Sequence, residues 1–251
     1  APALPKDCAH GTFVAPTIIE IERVADIPQE IFGPVLHVLR FRRGAMEEVI
    51  QDVNATGYGL TFGVHSRLDE TVARAEALAA AGNVYVNRNL IGAVVGVQPF
   101  GGHGLSGTGP KAGGPLYLRR LLSACPSQLP LPVTPATPQA SAFLGWLREH
   151  HPGVADAAAR QIAASRLVRD MILPGPVGEE NRYSLHPRGT VLCRATTREG
   201  LLLQLAAALA TGNTVLAKPA EQTPAIAAAA VRLLHEAGVP ADALQLLHGP
   251  G

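Results

Sequence analysis

Ten glycines fall between Gly82 and Pro115 (GNVYVNRNLIGAVVGVQPFGGHGLSGTGPKAGGP), and this stretch constrains the chain more than any other. Its opening residues Val84, Tyr85 and Val86 are β-branched or aromatic and follow an Ala-rich helix end and Gly82, which predicts a strand. Beyond them the glycine content is too high for any regular element, so a long loop is expected. A surface linker of this length would be polar. Here Leu90, Ile91, Val94, Val95 and Phe100 are interleaved with the glycines. The segment reads as a loop that holds a ligand or another chain.

The residues before it alternate between strand and helix signals. Gly11–Glu22 is β-branched with a period of two, and Pro16 limits it to an edge or a late start. Val35–Phe41 is a second strand. Between the two, Glu30-Ile-Phe32-Gly33-Pro34 forms a turn that sets one carboxylate beside one aromatic ring. That pair suits a nucleotide, because a carboxylate accepts two ribose hydroxyls while a ring packs on a flat heterocycle. A solvated Glu beside a core Phe is the plainer alternative. Ala45–Ala55 reads as a helix with Met46, Val49, Ile50 and Val53 on one face, and Gly57–His65 as a short strand. Asp69–Ala80 is a second helix, with Ser66 or Asp69 as N-cap and Gly82 as C-cap. The alternation predicts α/β architecture built from parallel-sheet βαβ units.

Composition narrows the function classes. The chain has 251 residues, 47% of them hydrophobic and 16% charged, enough to bury a real core in one large or two modest domains. A formal net charge of +1 gives no overall electrostatic case for nucleic acid or a membrane surface. Three widely spaced cysteines (Cys8, Cys125, Cys193) point to reduced thiols in a cytoplasmic setting. No apolar run reaches transmembrane length, and the nine histidines show no metal-ligand spacing. The chain starts without Met or a helix cap and reads as a piece cut from something longer.

Four motifs then stand in order: Glu30-Ile-Phe-Gly-Pro34-Val, Asn54-x-x-x-Tyr58-Gly59-Leu60, Gly82-Asn83-Val84-x-Val86-Asn87, and Pro99-Phe100-Gly101-Gly102-x-x-x-Ser106-Gly107. Their order and spacing over roughly residues 11–122 resemble the aldehyde dehydrogenase superfamily. The closing Gly107-Thr-Gly-Pro-Lys-Ala-Gly-Gly-Pro115 is similar to the branch that oxidises glutamate γ-semialdehyde. The residues beyond it resemble the C-terminal region of the bifunctional proline utilization A enzymes, which join a flavin proline dehydrogenase to a semialdehyde dehydrogenase. The resemblance implies NAD as cofactor here, with FAD confined to the parent's proline dehydrogenase domain. It implies that Glu30 holds the nicotinamide ribose and that Phe32 lies beside the nicotinamide. Gly92 and Ala93 would anchor the substrate's α-carboxylate through backbone N–H groups, and Phe100 would flank the aldehyde chain. The family's catalytic Cys, glutamate base and oxyanion Asn precede the matched region, so the isolated chain is expected to be inactive. Neither Cys8 nor Cys125 has the surroundings of a nucleophile.

Ala124–Gln139 carries five prolines and reads as a connector between residues 1–123 and 140–251. Ser141 is expected to cap a helix, and Val154–Met171 to form a long Ala-rich helix with Arg160, Arg166 and Arg169 as a solvated basic face. A strand at Thr190–Ala195, a helix at Glu199–Ala210, a strand at Thr214–Lys218, a turn at Pro219–Pro224, a helix at Ala225–Glu236 and a strand from Leu244 complete a Rossmann-like βαβαβ half-unit. No G-x-G-x-x-G is present within residues 140–251. Ala210-x-Gly212-Asn213-Thr-Val-x-x-Lys218-Pro219-Ala-Glu221 nevertheless resembles the family's cofactor domain, where this Lys and Glu reach the adenosine ribose. That domain normally comes first in the chain. The inverted order resembles the dehydrogenase-like C-terminal domain of longer proline utilization A proteins, which covers the active site without catalysing. A structural role is expected there, with a nucleotide-binding module that uses Lys218 and Glu221 as the alternative reading. The implied partners are the rest of a parent chain, glutamate semialdehyde and further copies in a homo-oligomer, with no nucleic acid bound through this region. The resemblance leaves room for peripheral association of the parent with the inner membrane. The competing reading is an assembly scaffold with no ligand of its own.

Overall fold

In the computed structural model, which describes residues 1–107, 109–124, 131–167, 171–219, 228, 231–232, 235 and 243–246, the chain divides into two compact units, Ala1–Ala124 and Cys125–Gly251. Both mix helices with parallel strand pairs, an α/β arrangement.

In the first unit, β1 (Thr17–Ile21) starts directly after Pro16, which has no N–H to give a ladder, and pairs in parallel with β2 (Val35–Leu39). The connection between them holds one short helical turn, Val24–Asp26. The Asp26 carboxylate accepts the amides of Glu22 (3.1 Å) and Arg23 (2.9 Å), and the Arg23 amide bond in particular holds its pKa below the usual range. One face of the strand pair carries Ile18, 71% exposed, beside Leu36, 56% exposed. Helix α1 (Met46–Ala55) buries Ile50 and leads to β3 (Tyr58–Gly59) and β4 (Thr61–Val64). Helix α2 (Asp69–Leu78) then crosses to β5 (Asn83–Val86), which lies parallel to β4. β6 (His103–Gly104) pairs antiparallel with β3.

The ends of α2 differ from the expectation. Its N-cap position is Leu68, with no side-chain cap; Ser66 Oγ accepts the Leu68 amide (3.1 Å) instead, and Asp69 is the first helical residue. Gly82 does not cap the C-terminus either. The helix stops at Leu78 because Asn54, from α1, donates to the Leu78 carbonyl (2.8 Å) and accepts the Ala80 amide (2.9 Å). A side chain 24 residues away in sequence satisfies the orphan groups that a C-terminal glycine ordinarily handles. Glu47 and Arg74 add a paired contact between the two helices, at 2.6 and 2.8 Å.

The second unit is organised around α5 (Arg198–Ala210), whose Leu201, Leu202, Leu205, Ala206 and Leu209 are fully buried or nearly so. A helix apolar on all sides must be covered on all sides. α3 (Pro138–His150) and α4 (Pro152–Ala163) pack on it, as do strands β9 (Thr190–Ala195) and β10 (Thr214–Pro219). The parallel sheet has the order β11-β10-β9, with β11 at Leu244–Leu246. Two expectations are corrected. α3 begins at Pro138 with Thr137 as N-cap, not at Ser141: Thr137 Oγ1 accepts the Ala140 amide (3.1 Å) and donates to the Leu209 carbonyl (2.8 Å). The helix expected over 154–171 ends at Ala163, because Ser165 turns its hydroxyl to the Ala210 carbonyl (2.9 Å) at the end of α5. Met171–Leu173 is instead β7, antiparallel to β8 (Asn181–Tyr183). Arg160 and Arg166 therefore share no helix face, and Arg169 lies outside the described residues.

Truncating Leu205, which has no solvent exposure, leaves a cavity in the middle of this core. Leu205→Ala should cost about 2–5 kcal/mol of second-unit stability. Urea unfolding followed through Trp146, the chain's single tryptophan and itself in this core, reads the loss as a lowered midpoint.

Candidate functional site

The glycine-rich segment follows β5 and pairs its backbone largely through side chains. Asn83, the first residue of β5, donates from Nδ2 to the Pro99 carbonyl (2.9 Å) and accepts the Gly101 amide on Oδ1 (3.1 Å). Lys111 Nζ donates to the carbonyls of Gly82 and Gly101 (2.9 Å to the latter) and approaches Asn83 Oδ1 at 3.4 Å. Phe100 and Ala112 exchange two backbone bonds, at 3.0 and 2.9 Å. Three separated pieces of chain thus meet at one ammonium group. A Cβ at Gly82 would collide with the Gly101 carbonyl oxygen, and one at Gly102 with the Ser106 carbonyl oxygen, so glycine is required at both. Burial lowers the Lys111 pKa.

A second knot holds residues 87–98. Asn87 has φ of 54° and ties β5 to the entry of α2: its Oδ1 accepts the Ser66 amide (3.0 Å) and its Nδ2 donates to the Ser66 carbonyl (2.9 Å). The Arg88 guanidinium lies 4.8 Å from the Tyr85 ring centroid and donates to the carbonyls of Asn89 (3.3 Å) and Gly92 (3.2 Å) and to Gln98 Oε1 (3.3 Å). Gln98 Oε1 also accepts the Val94 amide, at 2.8 Å. Within this knot the loop still turns apolar groups to solvent, with Ile91 92% and Val95 97% exposed.

Against this frame the candidate residues fall into three places. Gly92 and Ala93 are half-buried in the Arg88 loop, and half-buried Phe100 opens the segment tied to Lys111. Glu30 and Phe32 stand on the exposed connection ahead of β2, the Phe32 ring 90% exposed. Lys218 is half-buried near the end of β10, in the other unit, and Glu221 lies outside the described residues. An exposed carboxylate two residues from an exposed ring leaves both groups open to a ligand.

Cys193 is buried on β9, and burial raises its thiol pKa, which disfavours a thiolate. Cys8 is half-buried, and Cys125 lies outside the described residues. Among the described residues no group of three His, Cys, Asp or Glu side chains is placed to hold a metal, and no helix is long and apolar enough to cross a membrane.

Reading the sequence missed Arg88, Gln98 and Lys111. The available signal is their chemistry: Gln98 and Lys111 are polar side chains in apolar or glycine-rich runs, and Arg88 is a cation between two asparagines. The asparagines at 54, 83 and 87 were visible as motif members, but their work as backbone clamps was not.

The chain matches the model of the aldehyde dehydrogenase family over residues 2–124 and 197–251. It is 55% identical over 213 residues to the bifunctional protein PutA of Rhizobium meliloti, a match that covers 84% of this chain and 17% of that protein. It is 45% identical over 120 residues to a 1-pyrroline-5-carboxylate dehydrogenase of Oceanobacillus iheyensis, covering 47% of this chain and 23% of the relative. The solved structure of proline utilization A from Corynebacterium freiburgense superposes with a TM-score of 0.59 at 24% identity, covering 88% of this chain and 24% of that one, and shows a shared fold. The chain thus spans a small part of the length of the proteins it matches.

Lys111→Met keeps the side-chain stem and removes the donors, leaving the Gly101 carbonyl without its ammonium partner. Protease cleavage within residues 89–114 should become roughly tenfold faster or more, with second-unit unfolding unchanged. The pH dependence has a definite sign. Burial makes the folded lysine release its proton below the ordinary lysine value, so the unfolded state binds more protons between the two pKa values. First-unit stability therefore rises with pH across that window, and hydrogen exchange measured at several pH values should show the Met variant losing this slope.

Proposed function

Because the chain belongs to the aldehyde dehydrogenase family, we propose that it is the C-terminal part of a bifunctional enzyme of proline catabolism, whose dehydrogenase half oxidises L-glutamate γ-semialdehyde, formed from pyrroline-5-carboxylate, to glutamate with NAD+. The observation that carries this reading is the braced glycine-rich loop, a segment with backbone amides held by side chains rather than by a regular element. The names of the relatives support it: a bifunctional PutA protein over most of the chain, and a 1-pyrroline-5-carboxylate dehydrogenase over about half.

In this reading each residue has one task. Glu30 accepts the hydroxyls of the nicotinamide ribose. Phe32 packs beside the nicotinamide, and an otherwise costly exposed ring gains a partner on binding. The amides of Gly92 and Ala93 take the substrate's α-carboxylate, and Phe100 lines its carbon chain. NAD+, when bound, supplies the hydride acceptor. The nucleophilic cysteine and its base come from parts of the parent outside these residues, so the 251-residue chain alone is inactive. Residues 140–251 act as a dehydrogenase-like structural domain in which Lys218 and Glu221 do not contact a nucleotide.

A second reading has its own support. The bare Ile18 and Leu36 face of the β1–β2 pair is the kind of surface that another part of a parent chain, or another copy, covers. On that reading the chain serves assembly alone.

Substitution of Glu30 separates the two. In the full-length enzyme, Glu30→Ala should slow hydride transfer at saturating semialdehyde by about tenfold or more, with oligomeric state unchanged. Single-turnover NADH formation and light scattering measure the two quantities. Altered assembly with normal hydride transfer would favour the scaffold.

A further inference from the structure

The Arg88 knot has a geometric consequence for the peptide unit between Gly92 and Ala93. Among the described residues no peptide bond is cis, and in a trans peptide plane the N–H points opposite to the preceding C=O. The Gly92 carbonyl is turned onto the Arg88 guanidinium, at 3.2 Å. The Ala93 N–H is therefore turned away from Arg88. The next amide, Val94, is taken up by Gln98 Oε1, and Gln98 is itself held by Arg88. The other side of the loop is closed in the same way, since Asn89 Oδ1 accepts the Ile91 amide (3.2 Å) and the Gln98 amide donates to the Val94 carbonyl (2.9 Å).

One cation thus sets the direction of the peptide between Gly92 and Ala93, and it is itself placed by a buried ring. Tyr85 is buried on β5, and the guanidinium stacks over it. This arrangement needs the planar fork of arginine, which donates in several in-plane directions while its face packs on an aromatic surface. A lysine ammonium reaches fewer of these acceptors and offers no flat face.

We propose that Arg88 and Gln98 are positioning residues for substrate recognition: together they lock the 89–98 loop so that the backbone amides at Gly92 and Ala93 face an α-carboxylate. The inference rests on the role given to Gly92 and Ala93 under the proposed function. It adds residues that do not touch the substrate and that decide selectivity for aldehydes bearing a carboxylate.

The test uses the full-length enzyme with two substrates, glutamate γ-semialdehyde and butanal, a four-carbon aldehyde with no charged group. Arg88→Met and Gln98→Leu should raise KM for the semialdehyde by about 10- to 100-fold, with kcat within about threefold of wild type. Their kcat/KM for butanal should stay within about threefold, because the lost contact serves only the carboxylate. Arg88→Lys should behave like the Met variant, while Gln98→Glu, which keeps an acceptor for both Arg88 and the Val94 amide, should stay near wild type. A parallel fall on both aldehydes would reduce the knot to loop stability and overturn the inference. An unchanged semialdehyde KM in both Arg88 variants would overturn it as well, leaving Gly92 and Ala93 in place as the anchor. A wild-type enzyme with no preference for the semialdehyde over butanal would remove the anchor itself, and the inference with it.

Discussion

Every backbone N–H and C=O that leaves water needs a partner, and beyond β5 the glycine-rich residues up to 115 have only the short β6 pairing and the Phe100–Ala112 bridge as regular ladder. The first unit meets this demand with side chains. Asn83 and Lys111 hold the residues around Gly101, Arg88 and Gln98 hold 89–98, Asn87 holds the entry to α2, and Asn54 holds its exit. The glycines allow the backbone to come close enough for these contacts, and the polar side chains then fix where it stops. Loop geometry set this way does not depend on a large core. The first unit indeed buries few large side chains among those described, Ile50 and Tyr85 being the main ones.

The second unit rests on the opposite balance. Its stability comes from apolar burial around α5, where Leu201, Leu202, Leu205 and Leu209 meet Phe143 and Leu147 of α3 and Val215 of β10. Polar side chains there serve helix ends: Thr137 and Ser165 both donate to carbonyls at the end of α5. One unit is suited to presenting backbone groups to a ligand, and the other to being a rigid body. This division matches the proposed assignment of cofactor and substrate contacts to the first and a structural role to the second.

What the sequence reveals follows from the range of the forces involved. Strands β9 and β10 and helix α5 were legible nearly residue for residue, because each is a run of apolar residues with local start and stop signals. β1, β2 and β5 are legible for the same reason, with Pro16 marking where β1 begins, whereas the strand expected over 57–65 divides into β3 and β4 and β6 lies in the stretch expected to be loop. Helix ends are less legible, and in three cases for one cause. Asn54 displaced the expected cap of α2, Thr137 displaced Ser141, and Ser165 stopped α4 early, each by a bond to residues 24 to 72 positions away. The site shows the same division. Glu30, Phe32, Gly92, Ala93 and Phe100 are candidates that the family resemblance implies, whereas Arg88, Gln98 and Lys111 act through loop contacts that no local pattern announces.

The most direct measurement is a structure of the full-length enzyme with NAD+ and glutamate, the proposed reaction product, bound together. The account predicts the glutamate α-carboxylate on the amides of Gly92 and Ala93, the Arg88 guanidinium still on the Gly92 carbonyl, and a ribose on Glu30. A carboxylate held elsewhere, with the 89–98 loop touching only protein, would contradict it.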